Sequence, residues 1–410
     1  MSAHRTLEPG ARYLDVLDLF SGPGGMSQGI RDARNHGLRF RVVAANDYDQ
    51  AVKSTYTRNH RDTEFVSGSI TDEETKRDII RAIKRNTGRH GVDLVVGGPP
   101  CKGFSLENKM TRNMNNPMNH LVHHYVDMIR RTKPMAFIME NVPGLFAMNG
   151  GKVVDSLIDD FKDMGYHNAT AWLLNAAEYG VPQVRKRAFI VGSKSRIPIE
   201  KPRKTHGTNA EIAADPSLSS QVSIIECIGD LPKIRSGKIM PEDDSYTDVP
   251  SNQFQKKMRA RSSRITNHII TKNSPQVIDR IKVVPPGGNW SSIPAKLMRA
   301  GGRYKKLGLA HSMIYRRLKK NDPSITITNF RKAMIIHPTQ NRLLSVREAA
   351  RIQTFPDHFE FKGGISNMQQ QVSDAVPVLL AKKVGDAMLL HLHKILVPVQ
   401  ARQQRLRNKR

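Results

Sequence analysis

The stretch Tyr13-Leu-Asp-Val-Leu-Asp-Leu-Phe-Ser-Gly-Pro-Gly-Gly25 decides the expected fold of this 410-residue chain. An apolar run of strand length ends in a glycine-rich turn, and a helix is predicted from Met26. Strand, turn and helix in this order open a nucleotide-binding α/β unit, where small residues let a cofactor approach the backbone. The glycines do not follow the dinucleotide spacing, so the turn alone does not name the ligand.

Further apolar runs predict additional strands of an α/β sheet, at residues 39–47, 65–70, 94–96, 135–139, 170–174 and 187–191. In open α/β sheets, ligands bind at the carboxyl edge. Three residues that follow strands are therefore candidates for chemistry: Asp47, Cys101 and Glu140. Each has a structural alternative, because a lone cysteine is often buried and inert, Asp can cap a helix, and Glu can form a structural ion pair.

Gln183, Arg185 and Arg187 alternate along a predicted strand. Alternate residues of a strand project to the same face, so these side chains are expected to lie together. A solvated edge strand would tolerate the same pattern.

The charge of the chain favours a polyanionic partner. Lys and Arg number 65 against 37 Asp and Glu, for a formal net charge of +28. Residues 252–320 carry 17 Lys and Arg but only one acid, Asp279. Such a density favours a nucleic-acid groove over an ordinary solvated surface. No apolar run has the length of a membrane span, and two cysteines fit a reducing compartment.

Four segments together resemble DNA (cytosine-5) methyltransferases and follow one another in that family's order. They are Asp18-Leu-Phe-Ser-Gly-Pro-Gly-Gly25, Gly97-Gly-Pro-Pro-Cys-Lys-Gly-Phe-Ser105, Glu140-Asn-Val142 and Gln183-x-Arg185-x-Arg187. The resemblance implies a doubly wound, mostly parallel α/β sheet of the S-adenosylmethionine-dependent methyltransferase fold. It also implies a catalytic domain at 1–193, an inserted target-recognition domain at 194–329, and a return to the catalytic domain at 330–395. We expect the basic tail, 396–410, to be disordered.

The resemblance assigns a role to individual residues. Cys101 would attack carbon 6 of the target cytosine, Glu140 would protonate or bind N3, and Arg187, with Arg185, would hold the base. Cofactor contacts would come from Phe20, Ser21, Gly22, Gly24, Gly25, Asp47, Ser69, Ile70, Pro99, Leu121 and Asp374. Contacts to the substrate DNA would come from Lys102, Ser105, Asn141 and Gln183, and the basic insert adds Arg316 and Arg317 as candidates.

Three positions depart from the family pattern. Lys102 replaces a usual Gln, Ser69 replaces an Asp that takes the adenine amino group, and Ser373-Asp374 replaces Gly-Asn. Ser69 can still accept a hydrogen bond through its hydroxyl group.

The implied activity is methyl transfer from S-adenosyl-L-methionine to carbon 5 of a cytosine flipped out of double-stranded DNA. We expect a stand-alone bacterial or phage modification enzyme that is monomeric, needs no metal ion, and works in the cytoplasm at the nucleoid. A cognate restriction endonuclease would be a separate protein. Two alternatives remain open at this point: a cytosine-5 RNA or transfer-RNA methyltransferase, and a DNA-binding pseudoenzyme.

Overall fold

The structure is a computed structural model that describes residues 10–100, 120–235, 237, 245–298, 314–330 and 332–407. The chain divides into two compact units. The first unit comprises Met1–Leu174, Lys186–Arg203 and Val378–Arg410, and the second comprises Asn175–Arg185 and Lys204–Pro377.

One large sheet organises the first unit. Its strands are β1 (Arg12–Leu19), β2 (Arg34–Asn35), β3 (Leu38–Asp47), β4 (Glu64–Ser67), β5 (Leu94–Gly97), β6 (Ala136–Asn141), β7 (Thr170–Asn175) and β8 (Lys186–Ser193). The strand order is β2-β3-β1-β5-β6-β8-β7, and β4 also pairs with β3. The β1–β3, β1–β5, β3–β4 and β5–β6 pairs are parallel, whereas β2–β3 and β6–β8 are antiparallel. The carboxyl ends of β1, β3, β5 and β6 therefore meet at one edge.

Six of the described helices pack on this sheet. They are α1 (Gly25–Asp32), α2 (Gln50–Asn59), α3 (Glu73–Thr87), α4 (His120–Thr132), α5 (Lys152–Asp163) and α12 (Val378–Arg407). Helices α3, α4 and α5 share an apolar cluster with alternate strand residues such as Leu17, Val95 and Phe137. Helices α1 and α12 pack on each other and on β3. Their close approach requires Gly29, where a Cβ would lie 2.5 Å from Ala381 Cβ. The predicted doubly wound, mostly parallel sheet is confirmed.

The second unit consists of short elements and contains a separate apolar cluster. They are β9 (His206–Gly207), α6 (Asn209–Ala214), β10 (Ser219–Ser220), α7 (Ile224–Ile228), α8 (Gln253–Arg259), α9 (Pro275–Lys282), α10 (Val346–Ile352) and α11 (Ile365–Asp374). Ile281, Val284, Tyr315 and Ile336 belong to that cluster. Helix α10 begins with a capping box of Ser345 and Glu348.

Two boundaries differ from those expected from the sequence. Residues 330–377, expected to rejoin the catalytic domain, lie in the second unit, and the first unit resumes at Val378. The fully buried Arg351 of α10 explains this placement, because it donates to the Cys227 carbonyl (3.1 Å) and to the Asp230 carboxylate. Disorder was expected from residue 396 onward. In the described part of the tail, helix α12 instead continues to Arg407. Among the described residues, no helix has the length and apolar character needed to cross a bilayer.

Candidate active site

The glycine-rich turn after β1 has the backbone geometry that a closely approaching ligand requires. Phe20, Gly22 and Gly24 have positive φ angles of 55°, 53° and 98°. The Gly22 amide donates to the Asp47 carboxylate at the end of β3 (2.8 Å). A Cβ on Gly24 would lie 2.4 Å from His60 Nε2, so any other residue here would displace the His60 ring and would also adopt an unfavourable positive φ.

Two buried polar atoms beside this turn have no hydrogen-bond partner within the described part of the chain. They are Ser21 Oγ and Asp18 Oδ1. The other Asp18 oxygen accepts from Ser27 Oγ (2.6 Å), which also lies 2.6 Å from Tyr56 Oη. Burial raises the pKa of Asp18 to about 7. Buried polar atoms are normally satisfied, so this pair fits a polar ligand held against the turn.

Sequence reasoning did not select Asp18 or Tyr56 as site residues. Two signals pointed to Asp18: it opens the segment Asp18–Gly25 that resembles the family, and it is an acid within an apolar strand, on the same face as Val16. Tyr56 gave no signal, because its proximity to Asp18 arises from the packing of α2 on the sheet.

Asp47 and Ser69 lie at the ends of neighbouring strands. The Asp47 carboxylate is buried and accepts from the Asp49 amide (2.9 Å) and from the Gly22 amide of the turn. Burial raises the pKa of this carboxyl group. The Gly68 amide donates to the Asp47 carbonyl (3.1 Å), which brings Ser69 to the same edge. Ser69 Oγ lies 2.7 Å from Thr71 Oγ1. The N-cap of α2 is Asp49, so the helix-cap alternative for Asp47 is wrong.

The other predicted cofactor contacts are distributed over both units. In the first unit, Gly25 opens α1 and is buried, as are Ile70 and Pro99, while Leu121 is half-buried against the core. Asp374 belongs to the second unit, where its exposed carboxylate accepts from Gln370 Nε2 (2.7 and 2.8 Å). The cofactor role of Asp374 stays a prediction.

Glu140 and Arg187 form an ion pair where β6 ends and β8 begins. Arg187 Nε lies 2.9 Å from Glu140 Oε1, and the two side chains are only 12–13% exposed. The second carboxylate oxygen, Oε2, lies 3.0 Å from the position that a Cβ on Gly98 would occupy. The acid is therefore oriented by the cation on one side and by the loop after β5 on the other. That loop leads directly into Cys101.

Asn141 fastens the same loop to β6. Its side-chain amide donates to the Pro99 carbonyl (3.1 Å), and its carbonyl oxygen accepts from the Val142 amide (2.8 Å). This buried side chain thus holds the loop that precedes Cys101 in the sequence, and its predicted contact with DNA stays a prediction. Three predicted residues, Cys101, Lys102 and Ser105, lie outside the described residues.

Gln183, Arg185 and Arg187 do not share one strand, which corrects the prediction. Strand β8 begins at Lys186, and the alternation rule applies only within a continuous strand. Gln183 is fully buried in the second unit and donates to Gln353 Oε1 (3.1 Å). Arg185 is 3% exposed and donates, at 3.1–3.3 Å, to the backbone carbonyls of Ile327, Ser373 and Ala375. Both side chains hold the second unit together.

The two arginines of the basic insert have different environments. Arg317 is 5% exposed, and its five N–H groups donate to Ile281, Val284, His337, Gln340 and Asn341 at 2.7–3.1 Å. The structure therefore corrects the prediction that Arg317 contacts DNA, because its donors are already used. Arg316 is half-buried and forms no ion pair within the described ranges.

Comparison with known proteins identifies the family. The model of the family described as C-5 cytosine-specific DNA methylase matches residues 14–390 of the chain. The chain belongs to this family. This C-5 cytosine-specific DNA methylase is 32% identical over 378 residues to Type II methyltransferase M1.HphI of Haemophilus parahaemolyticus, covering 92% of this chain and 87% of the relative. It is 30% identical over 403 residues to Type II methyltransferase M.DdeI of Desulfomicrobium norvegicum, covering 93% and 90%.

Solved structures share the fold of this DNA methylase. A protein from an Escherichia coli prophage, described as a DNA modification methyltransferase, superposes with a TM-score of 0.68 at 22% identity and covers 93% of this chain and 99% of its own. The S. pombe Dnmt2 methyltransferase gives a TM-score of 0.52 at 15% identity and covers 94% and 100%. At these identities, the likeness concerns the fold alone.

The predicted family and activity are confirmed. The protein is an enzyme that methylates carbon 5 of cytosine in DNA, and S-adenosylmethionine is the methyl donor. The family match favours this activity over the RNA methyltransferase and pseudoenzyme alternatives. The first unit has residues that fit S-adenosylmethionine. One edge of its sheet brings together the positive-φ turn, the Ser21 and Asp18 oxygens that have no partner in the described part of the chain, and the buried Asp47 carboxylate.

Proposed function

We propose that this chain is the modification enzyme of a Type II restriction–modification system and methylates one cytosine within a specific double-stranded site. Relatives with Type II names match it over more than 90% of its length, which supports this assignment. The restriction endonuclease would be a separate protein that cuts the same site when it is unmethylated. The enzyme would act as a monomer on the bacterial nucleoid.

The observation that carries the catalytic proposal is the Glu140–Arg187 ion pair beside the loop of Cys101. Oε1 of the acid faces Arg187, and Oε2 faces Gly98, three residues before Cys101. A cation at this edge also favours the thiolate form of a nearby cysteine, which is the nucleophilic form. The acid and the cation thus lie beside the segment that leads in sequence to Cys101.

The proposed steps follow from the weak nucleophilicity of carbon 5 in cytosine. The Cys101 thiolate adds to carbon 6, while Glu140 delivers a proton to N3 and Arg187 holds the exocyclic oxygen. When bound, the cofactor supplies an electrophilic methyl group. Once carbon 5 carries the methyl group, a water molecule takes the carbon 5 proton, N3 returns its proton to the Glu140 carboxylate, and expulsion of the Cys101 thiolate restores the aromatic ring. The base must first leave the helical stack, which costs a few kcal/mol.

The remaining predicted site residues have supporting roles in this proposal. Phe20 to Gly25 would hold the cofactor, with the Asp47 carboxylate binding its ribose and the Ser69 hydroxyl binding its adenine. Part of the second unit, 204–329, reads the DNA sequence, and Arg316 contacts a phosphate there. Lys102 and Ser105 contact the strand that carries the target. The high density of cations in residues 252–320 supports a role on the DNA backbone.

A mechanism-based trap tests the proposal. A duplex that carries 5-fluorocytosine at the target should form a denaturant-stable complex with the enzyme when the methyl donor is present, because fluorine cannot leave as a cation. Cys101→Ser should form no such complex and should retain DNA binding, since it removes the nucleophile with little change in volume. An active enzyme that yields no adduct at its known site would contradict the covalent mechanism.

A further inference from the structure

A basic cavity of 340 Å³ lies at the edge of the sheet opposite to the candidate active site. It is lined by Ile129, Arg130, Lys133, Met164, Tyr166 and Lys194. Lys194 follows β8, and its amide donates to the Met135 carbonyl just before β6 (3.0 Å). Glu140 lies five residues further along, about 17 Å away at roughly 3.3 Å per strand residue. The cavity and the proposed catalytic acid therefore face opposite edges of the first unit.

The lining of this basic cavity combines three cations with an apolar floor and includes no carboxylate. The Lys194 ammonium lies 5.9 Å from the ring centroid of Tyr166 and donates to the Lys133 carbonyl (3.0 Å). Burial lowers the pKa of Lys194, and the neighbouring Lys133 lowers it further. Within the described ranges, neither Arg130 nor Lys133 forms an ion pair. An anion would relieve this local excess of positive charge.

Helix electrostatics account for only part of this arrangement. Arg130 and Lys133 lie at the C-terminus of α4, where a cation offsets the helix dipole by about 0.3–1 kcal/mol. Arg131, in the same turn, is neutralised by Asp127 and Glu73. Lys194 comes from a different element, and its ammonium also lies at this helix end, on the Lys133 carbonyl. Three cations therefore meet at one helix C-terminus in a cavity that no carboxylate lines, which is more positive charge than the dipole of α4 offsets.

We propose that the basic cavity binds phosphate groups of a second duplex segment while the catalytic edge holds the first. A straight duplex cannot contact opposite edges of one unit at the same time, so the second contact must come from another molecule or from a distant part of the same one. Such a contact would keep the enzyme near DNA when it leaves a site. The proposal rests on DNA as the substrate class, and it does not depend on the catalytic roles proposed for Cys101 and Glu140.

A bridging assay tests this proposal with the full-length chain. The enzyme is bound to an immobilised cognate duplex, and capture of a labelled duplex without the site is measured against salt. The wild type should capture it. Arg130→Gln with Lys133→Asn should reduce capture by about tenfold or more. The double variant should also lower the slope of log affinity against log salt concentration by up to about two. Each phosphate contact that is lost reduces that slope by roughly 0.9. Asn suits position 133, where φ is 46°.

Matched variants separate the cavity from general surface charge. Lys162→Gln removes an exposed lysine near the cavity that already pairs with Asp159 (3.6 Å), and it should leave capture unchanged. Lys133→Arg should also retain capture. Single-turnover methylation of the cognate duplex and the melting temperature should stay at wild-type values in all three variants.

Three results would overturn the proposal. The wild type could fail to capture the second duplex, the double variant could capture it normally, or the double variant could lose cognate methylation at an unchanged melting temperature. Binding of a nucleoside monophosphate that depends on Arg130 and Lys133, without capture of a second duplex, would assign the cavity to a free nucleotide instead. The 5-fluorocytosine trap tests the catalytic proposal separately, because it uses the cognate duplex alone.

Discussion

Arg317→Met removes five hydrogen bonds from the interior of the second unit. Each acceptor is a carbonyl oxygen of the backbone or of a side-chain amide, and the guanidinium is 5% exposed. A hydrogen bond to a charged group contributes about 1.5–3 kcal/mol, and a buried acceptor left without a donor costs about 1–3 kcal/mol. These contributions are not additive, because the variant no longer buries a charge. We expect the free energy of unfolding to fall by about 3–5 kcal/mol.

Thermal and urea unfolding of the variant would measure this loss. For a unit of roughly 150–250 residues, 1 kcal/mol corresponds to about 2–4 °C, so the melting temperature should fall by about 6–20 °C. Arg316→Met is the matched control, because it changes the neighbouring, half-buried arginine. It should change stability by less than about 0.5 kcal/mol. If Arg316 contacts a phosphate, its loss should lower the salt slope of DNA binding by about one.

The two variants therefore separate a structural arginine from a binding one. An Arg317→Met protein with wild-type stability and weakened DNA binding would refute the reasoning, because it would mean that the guanidinium faces the nucleic acid. Unchanged DNA binding and salt slope in Arg316→Met would remove that residue from the proposed DNA-binding surface.

Three further predictions concern the first unit. Glu140→Gln should slow single-turnover methylation by about 10²–10⁴-fold and leave cofactor affinity unchanged, because an amide cannot deliver the proton; equal losses in rate and affinity would give the residue a structural role. Gly24→Ala should lower the melting temperature more than Gly37→Ala, since both positions have positive φ but only the first would place a Cβ against His60; equal effects would contradict the steric argument. Burial raises the pKa of Asp18 from 3.8 to about 7. As pH rises from about 4 to 7, the unfolded chain therefore releases the Asp18 proton before the native state does, and the free energy of unfolding falls by an amount on the order of a few kcal/mol. Asp18→Asn should flatten that decline in a series of urea titrations, and an unchanged decline would contradict the assignment.

The sequence alone determined the order of strands and helices in the first unit and the residues at the strand ends. Short apolar runs, which are typical of buried strands, and apolar residues repeated every 3.6 positions, which are typical of helices, are local properties of the sequence. Strands β1, β3, β5 and β6 could therefore be predicted to within a few residues. The motifs also identified the family, because the glycine turn, the Pro-Cys loop and Glu-Asn-Val occur together in the expected order. Asp47 and Glu140 were selected because each stands at the carboxyl end of a predicted strand.

Only the tertiary structure decided which polar side chains serve the fold. Arg185 and Arg317 look like binding residues in the sequence, yet the Nη groups of Arg185 and the guanidinium of Arg317 donate to carbonyl oxygens that lie far away along the chain. Whether a guanidinium faces solvent or the interior depends on which distant segments need donors, and no local pattern encodes that need. The ion pair of Glu140 with Arg187 has the same origin, because the antiparallel pairing of β6 and β8 joins residues 47 positions apart.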